Sequence, residues 1–309
     1  MRTKVCELFG IDVPIFGFSH CRNVVAAVSA AGGLGVFGAG TFAPDELEIE
    51  LRWLDEQLNG RPYGVDVVMP SSRTEGSPVD LERLIPQGHR DFIMTLEDRL
   101  HIPPMRQDAP TPKSVYRNME RMSTHAWARQ QLDVAWNHKP KLLVSALGPA
   151  PADIVAKAHG LGMKIGGMTG SGRHAQKHIA AGADIVIAAG NEGAGHNSDI
   201  STMVLVPEVV DAAGDVPVLA AGGIASGRQM AAAMALGAQG VWMGSAWLAT
   251  IESDLDEAAV DRIIRSGSHD TLRTRAWSGK PTRFLRTPFF DAWEQEDAPS
   301  RWARPCSGC

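Results

Sequence analysis

The residues whose types and spacing best suit chemistry fall between positions 184 and 250. His196 lies in the segment GNEGAGHNSD, with three glycines in the six residues before it. An imidazole titrates near neutral pH, so a histidine held in a glycine-framed loop at a strand end can act as a general base. The alternative is a histidine that only caps a carbonyl or stands in solvent. Two later loops, Gly222-Gly223-Ile224 and Gly244-Ser245, have the composition of an anion cradle. With no side chain in the way, backbone N–H groups can approach a phosphate, and Ser245 would add a hydroxyl donor. The same glycines would also serve if they did no more than make tight turns. Asp66 is a carboxylate inside the apolar run YGVDVVMP. It needs a partner, because an unpaired buried charge is costly. A heterocycle in a pocket would provide one, and so would a cation such as Lys141 or Lys164.

Other side chains are weaker candidates. His20 and Cys21 follow the apolar run VPIFGFS and would stand at the mouth of a sheet or barrel. Nothing nearby in sequence would activate Cys21 as a nucleophile, so an inert role is expected. Trp242 is either packing inside a strand or a flank against an aromatic ligand. Cys306 and Cys309 form a CxxC without two further ligands close by in sequence, and no metal site is expected. No Walker A loop or nucleophile elbow is present.

The elements that must carry these residues alternate. DIVIAA, VPVLAAGG and GVWMGSAWL are short apolar runs separated by helix-like segments, the pattern of parallel strands joined by crossover helices. Upstream, VPIFGFS, GLGVFGAG, YGVDVVMP, KLLVSALG and KIGGMT extend the series to eight strands. In such folds the loops after the strands carry the chemistry. Leu47, Leu51, Leu54 and Leu58 form a helical stripe that should face the sheet, and Pro44 with Asp45 and Glu46 marks that helix's start. Ser171 is a plausible cap for the helix after KIGGMT. The expected architecture is α/β, a (β/α)8 TIM barrel over residues 1–290. Residues 71–138 should form a helical insertion or lid after strand three, and 291–309 an irregular tail.

Composition bounds the function. The 309 residues are 44% hydrophobic with a net charge of −5, enough to bury a large core and with no basic block suited to nucleic acid. No apolar run is long enough to span a bilayer, and the first residues lack a signal-peptide core. With four scattered cysteines, a soluble cytoplasmic protein is expected, without nucleic-acid or membrane partners and with a homodimer admitted as its assembly.

These segments resemble the FMN-dependent nitronate monooxygenases, formerly 2-nitropropane dioxygenases, over nearly the whole chain. NEGAGH is similar to that family's loop bearing the catalytic base, which assigns the role to His196. LAAGGIASGRQMAAAMALGAQGVWMGSAWLAT is similar to its FMN-phosphate segment. The resemblance implies FMN contacts from Asp66, Ala189, Ala194, Gly195, Gly222, Gly223, Trp242, Met243, Gly244 and Ser245. Asp66 stands where relatives usually have Asn, Ala189 where they have Gln, and Ala194 where they have Gly. STMVLVPEVVDA is shared with a related flavin enzyme, enoyl-ACP reductase II. The implied activity is oxidation of alkyl nitronates with O2. The alternatives are NAD(P)H-dependent reduction of an enoyl thioester, or a flavin-binding barrel without catalysis.

Overall fold

The computed structural model describes residues 2–69, 85–103, 124–296 and 298–299. Eight parallel strands close into a barrel: β1 (Ile15–Ser19), β2 (Leu34–Gly38), β3 (Tyr63–Val67), β4 (Leu142–Ser145), β5 (Lys164–Thr169), β6 (Ile185–Ala189), β8 (Val218–Ala221) and β9 (Gly240–Met243). Closure runs through β9 and β1, with Phe16 opposite Trp242. The connecting helices are α2 (Arg22–Ala30), α3 (Pro44–Leu58), α5 (His125–His138), α6 (Ala152–Gly160), α7 (Gly172–Ala180), α8 (Thr202–Ala213) and α9 (Gly227–Ala235). A short α1 (Lys4–Phe9) precedes β1; its Val5, Cys6 and Phe9 join the cluster inside the barrel. The fold is the expected (β/α)8 barrel.

Strand alternation sorts side chains into two cores. Phe16, Leu34, Val36, Leu142, Val144, Ile185, Ile187, Leu219 and Trp242 fill the barrel. Tyr63, Val65 and Val67 of β3 point the other way, into an outer core with Leu47, Leu51, Leu54 and Leu58 of α3. Each of these leucines is essentially buried, contributing about 1.5–3 kcal/mol of transfer free energy. At the start of α3 the Ala43 N–H donates to Glu46 Oε2 (3.0 Å), and at the start of α7 Ser171 Oγ accepts from the His174 N–H (3.3 Å).

The stretch after β3 departs in part from the expected insertion. Residues 70–84 and 104–123, where much of the lid was expected, lie outside the described residues. Helix α4 (Gln87–Arg99) buries Leu96 against Trp293. Helix α5 is an ordinary barrel crossover: Ala128, Leu132, Ala135 and Trp136 enter the outer core, and His138 bridges Glu48 and Asp55 of α3 at 3.0 and 2.6 Å. Its Trp127 Nε1 donates to Gly40 O (2.9 Å), and Gln131 Nε2 reaches the carbonyls of Ala39 and Phe42, pinning the loop after β2.

Beyond the barrel, helix α10 (Glu257–Arg265) is followed by an antiparallel hairpin, β10 (Thr271–Thr274) and β11 (Thr282–Leu285). The hairpin pairs with a two-residue strand, β7 (Gly195–His196). Helix α11 (Pro288–Trp293) buries Phe290, Ala292 and Trp293, so ordered packing runs past residue 290.

Candidate active site

His196 is placed by two segments far apart in sequence. The loop after β6 delivers it on β7, and β11 receives it, with Thr282 opposite His196 and Arg283 opposite Gly195. Arg273 on β10 donates through Nε to Asn197 Oδ1 (2.9 Å) and through Nη2 to Ser198 O (3.0 Å), and also bonds Asp199. Arg283 Nε donates to Asn191 O (3.0 Å). Within the loop, Asn197 Nδ2 donates to Gly193 O (2.7 Å). The loop's glycines therefore do not leave His196 loose, because two guanidiniums and a strand pairing fix it. His196 Nε2 lies 2.7 Å from Ser278 Oγ at the hairpin tip. The residue keeps an open face to solvent, yet crowding by loop and hairpin lowers the imidazole pKa below 6.5, with Lys280 adding to the effect.

The glycine loops adjoin this platform. Gly222 and Gly223 have positive φ, 107° and 68°, which side chains rarely adopt. A Cβ on Gly222 would lie 2.8 Å from Thr202 Oγ1 and 3.1 Å from Gly193 N, so the loop after β8 presses directly on the loop carrying His196. Glu192 braces its own loop by accepting from the Thr202 N–H (2.8 Å) and hydroxyl (2.7 Å) at the start of α8, and Thr202 Oγ1 also lies 3.1 Å from Gly222 O across the two loops. The N–H groups of Gly223 and Ile224 meet no acceptor among the described residues. Gly244 differs: its φ is −120°, and a Cβ there would meet only Phe18 Cδ1, at 3.8 Å. The protein alone does not require glycine at that position, whereas a ligand lying on the backbone would. Ser245 opens a 3-10 turn, Ser245–Trp247, directly after it.

Above the barrel core, Phe18 stacks on Trp242 with centroids 5.7 Å apart and 25° between planes. Asp66 alternates with Val65 and Val67 and so points into the barrel from its C-terminal end. It is 5% exposed, and no hydrogen bond or ion pair reaches its carboxylate among the described residues. Burial raises its pKa to about 7. The cations considered from sequence are elsewhere: Lys164 pairs with Asp184 at 3.0 Å, and Lys141 precedes β4 at the opposite end of the barrel. His20 Nδ1 lies 2.8 Å from the carbonyl of Gly38, and Gly38 is the register partner of Asp66. Burial lowers the His20 pKa.

The remaining expected contacts divide by geometry. Ala189 packs with the interior cluster, whereas Met243 turns its side chain into the outer core and offers only backbone to the mouth. Gly195 and Ala194 flank His196 in the loop, and Ala194 is exposed. Cys21 is buried beside Val24 and Val28, with Sγ 3.2 Å from Glu252 O, the inert placement expected of it. Sequence reasoning missed Ser278, Lys280, Arg273, Arg283 and Glu192. The signal available was the density of cations in DTLRTRAWSGKPTRFLR, more than a solvated loop needs.

The assembled features fit a flavin that carries a phosphate. Unpaired backbone donors and an open glycine suit its phosphate, stacked aromatics at the barrel mouth suit a flat ring, and Asp66 is a lone polar group facing it. Among the described residues no cluster of side chains suits a metal.

The chain is similar to several known proteins. Rv1533 of Mycobacterium tuberculosis, named as a candidate monooxygenase, is 46% identical over 312 residues, covering 99% of this chain and 82% of that protein. A Staphylococcus saprophyticus protein named as a candidate nitronate monooxygenase is 31% identical, covering 96% of this chain and 82% of its own. A nitroalkane oxidase structure from Streptomyces ansochromogenes superposes with TM-score 0.75 at 26% identity, covering 94% of this chain and 81% of that one. FabK from Thermotoga maritima superposes with TM-score 0.71 at 31% identity, covering 94% and 76%. The chain is thus an enzyme, a flavin oxidoreductase. The pattern of one family, nitronate monooxygenase, matches residues 5–303 from within α1 onward, and the chain belongs to that family.

Proposed function

We propose that this protein binds FMN and oxidises small alkyl nitronates with O2. The observation that carries the reading is His196: an imidazole kept neutral at ordinary pH, locked by a strand pairing beside an open phosphate cradle. FMN, when bound, supplies the electron acceptor for the substrate carbon and returns the electrons to O2. The chain's own residues do the rest. With Ser278 Oγ accepting from Nε2–H, Nδ1 carries the lone pair and has no partner among the described residues. His196 then takes the α-proton of a neutral nitroalkane, or orients a nitronate that arrives already ionised. Lys280 adds positive charge next to the imidazole, which opposes its protonation and favours an anionic reactant. The backbone N–H groups of Gly223 and Ile224, with Ser245, would hold the phosphate, and Phe18 and Trp242 would supply apolar surface for the ring.

The FabK likeness supports a second reading, NAD(P)H-dependent reduction of an enoyl thioester. An anaerobic absorbance titration of FMN-loaded protein separates the two. Bleaching of the flavin by ethyl or propyl nitronate, and not by NADH, is the expected result. Rapid bleaching by NADH alone would replace the monooxygenase reading with the reductase.

A further inference from the structure

Asp66 is the polar group that the barrel leaves unexplained. It is 95% buried by its 5% exposure, sits at the C-terminal end of β3, and has no partner of either charge among the described residues. A buried carboxyl without a partner costs stability, and one at the mouth end of a barrel strand is placed to recognise a ligand bound there. We propose that Asp66 binds the flavin ring in its protonated form, donating its O–H to a ring acceptor, so that FMN binding above neutral pH takes up one proton from solvent. This rests on the FMN reading given above and deepens it.

The neighbours of Asp66 favour the neutral acid. From β2 the facing residue is Gly38, and from β4 it is Val144. Phe18, Met168 and Trp242, from β1, β5 and β9, complete the upper interior and carry no charge. Among the described residues, His20 at this rim has its Nδ1 tied to the Gly38 carbonyl and its pKa below 6.5, so it supplies no cation at neutral pH, and Asp254, whose charge acts on His20, is itself an acid. Ionisable groups of α3 and α5, namely Glu48, Asp55 and His138, bond one another on the outer side of the barrel. His196 and Lys280 belong to the loop after β6 and the hairpin, away from β3. No cation among the described residues therefore offsets a carboxylate at position 66, and a flat ring laid over it would strip away its remaining water. Its pKa, already raised by burial to about 7, must rise further in the complex. A doubly ionised phosphate on the same ligand acts in the same direction.

The linkage gives a definite slope. Above the pKa of the free protein and below that of the complex, each pH unit weakens binding about tenfold, since one proton must be recruited. The FMN phosphate, with a second pKa of about 6, no longer titrates there. The test is titration of flavin-free protein with FMN, followed by flavin fluorescence, at several pH values from neutrality to mildly alkaline, on the native chain and on Asp66→Asn. Calorimetry in two buffers of different ionisation enthalpy counts the protons on the native chain alone, so the result stands even if Asp66→Asn folds poorly. The expected outcome is close to one proton taken up and a tenfold loss of affinity per pH unit in the native chain, with affinity nearly flat in Asp66→Asn. Equal affinity across the range with no proton uptake overturns the inference, as does an Asp66→Asn protein that keeps the slope. If FMN fails to bind the native chain at any pH, the cofactor reading itself fails, a result distinct from both.

Discussion

Two side chains at the mouth are driven in opposite directions by the same cause. Desolvation lowers the pKa of His196 and raises that of Asp66 to about 7, so near pH 7 the imidazole is neutral and the carboxyl is about half protonated. For His196 the expected consequence is catalytic. Turnover of a neutral nitroalkane should persist somewhat below pH 6.5 before the base protonates, and His196→Asn should lower it about 10²–10⁴-fold while the bound-flavin spectrum is retained. Steady-state rates across the acid range, with an absorbance spectrum of the variant, check both. For Asp66 the consequence is thermodynamic. Its folded pKa exceeds the unfolded value of 3.8, so its contribution to stability is full below that value and is lost as pH rises through about 7. Flavin-free Asp66→Asn should therefore gain on the native protein between those pH values, by about 4 kcal/mol at most, since each pH unit separating the two pKa values is worth about 1.36 kcal/mol. Urea unfolding at acid and mildly alkaline pH measures the difference, and a constant difference across that range would contradict it.

At the scale of elements, how legible each part was follows from where its partners lie. The eight barrel strands could be read because each one alternates locally between an inner and an outer core, and α3 because its leucines repeat at helical spacing. The glycine loops after β8 and β9 could be placed because strand order fixes them at the mouth. The hairpin β10–β11 could not. Its cations look like solvated charge until their acceptors are known, and those lie 76 residues away for Arg273 to Asn197 and 92 for Arg283 to Asn191. Asp66 was visible as an anomaly in an apolar run, but its lack of a partner required the strand register. The crossover role of α5 was hard to read because it uses Gln131 and His138, polar residues, for buried or bridging contacts. Two substitutions test these elements. Leu51→Ala in α3 should cost about 2–5 kcal/mol by opening a cavity in the outer core, read as a lowered unfolding midpoint. Arg273→Ala should lower turnover far more than it lowers FMN affinity, since it frees the His196 loop without touching the Gly222–Gly223 cradle; comparable losses in both would argue against that division.

For the whole molecule, a ligand that bridges the loops after β3, β8 and β9 ties together strands on opposite sides of the barrel. Saturation with FMN at about 100 times its dissociation constant should raise stability by about 2.7 kcal/mol, visible as an upward shift of the melting midpoint that grows with FMN concentration. Among the described residues no helix is long and apolar enough to cross a membrane. The barrel is complete by Met243, yet the strand that receives His196 begins only at Thr282. Closure of the barrel and placement of His196, its proposed base, are therefore separate events, and the second waits on chain made later. During synthesis, a nascent chain could hold a finished barrel while its histidine is still unplaced.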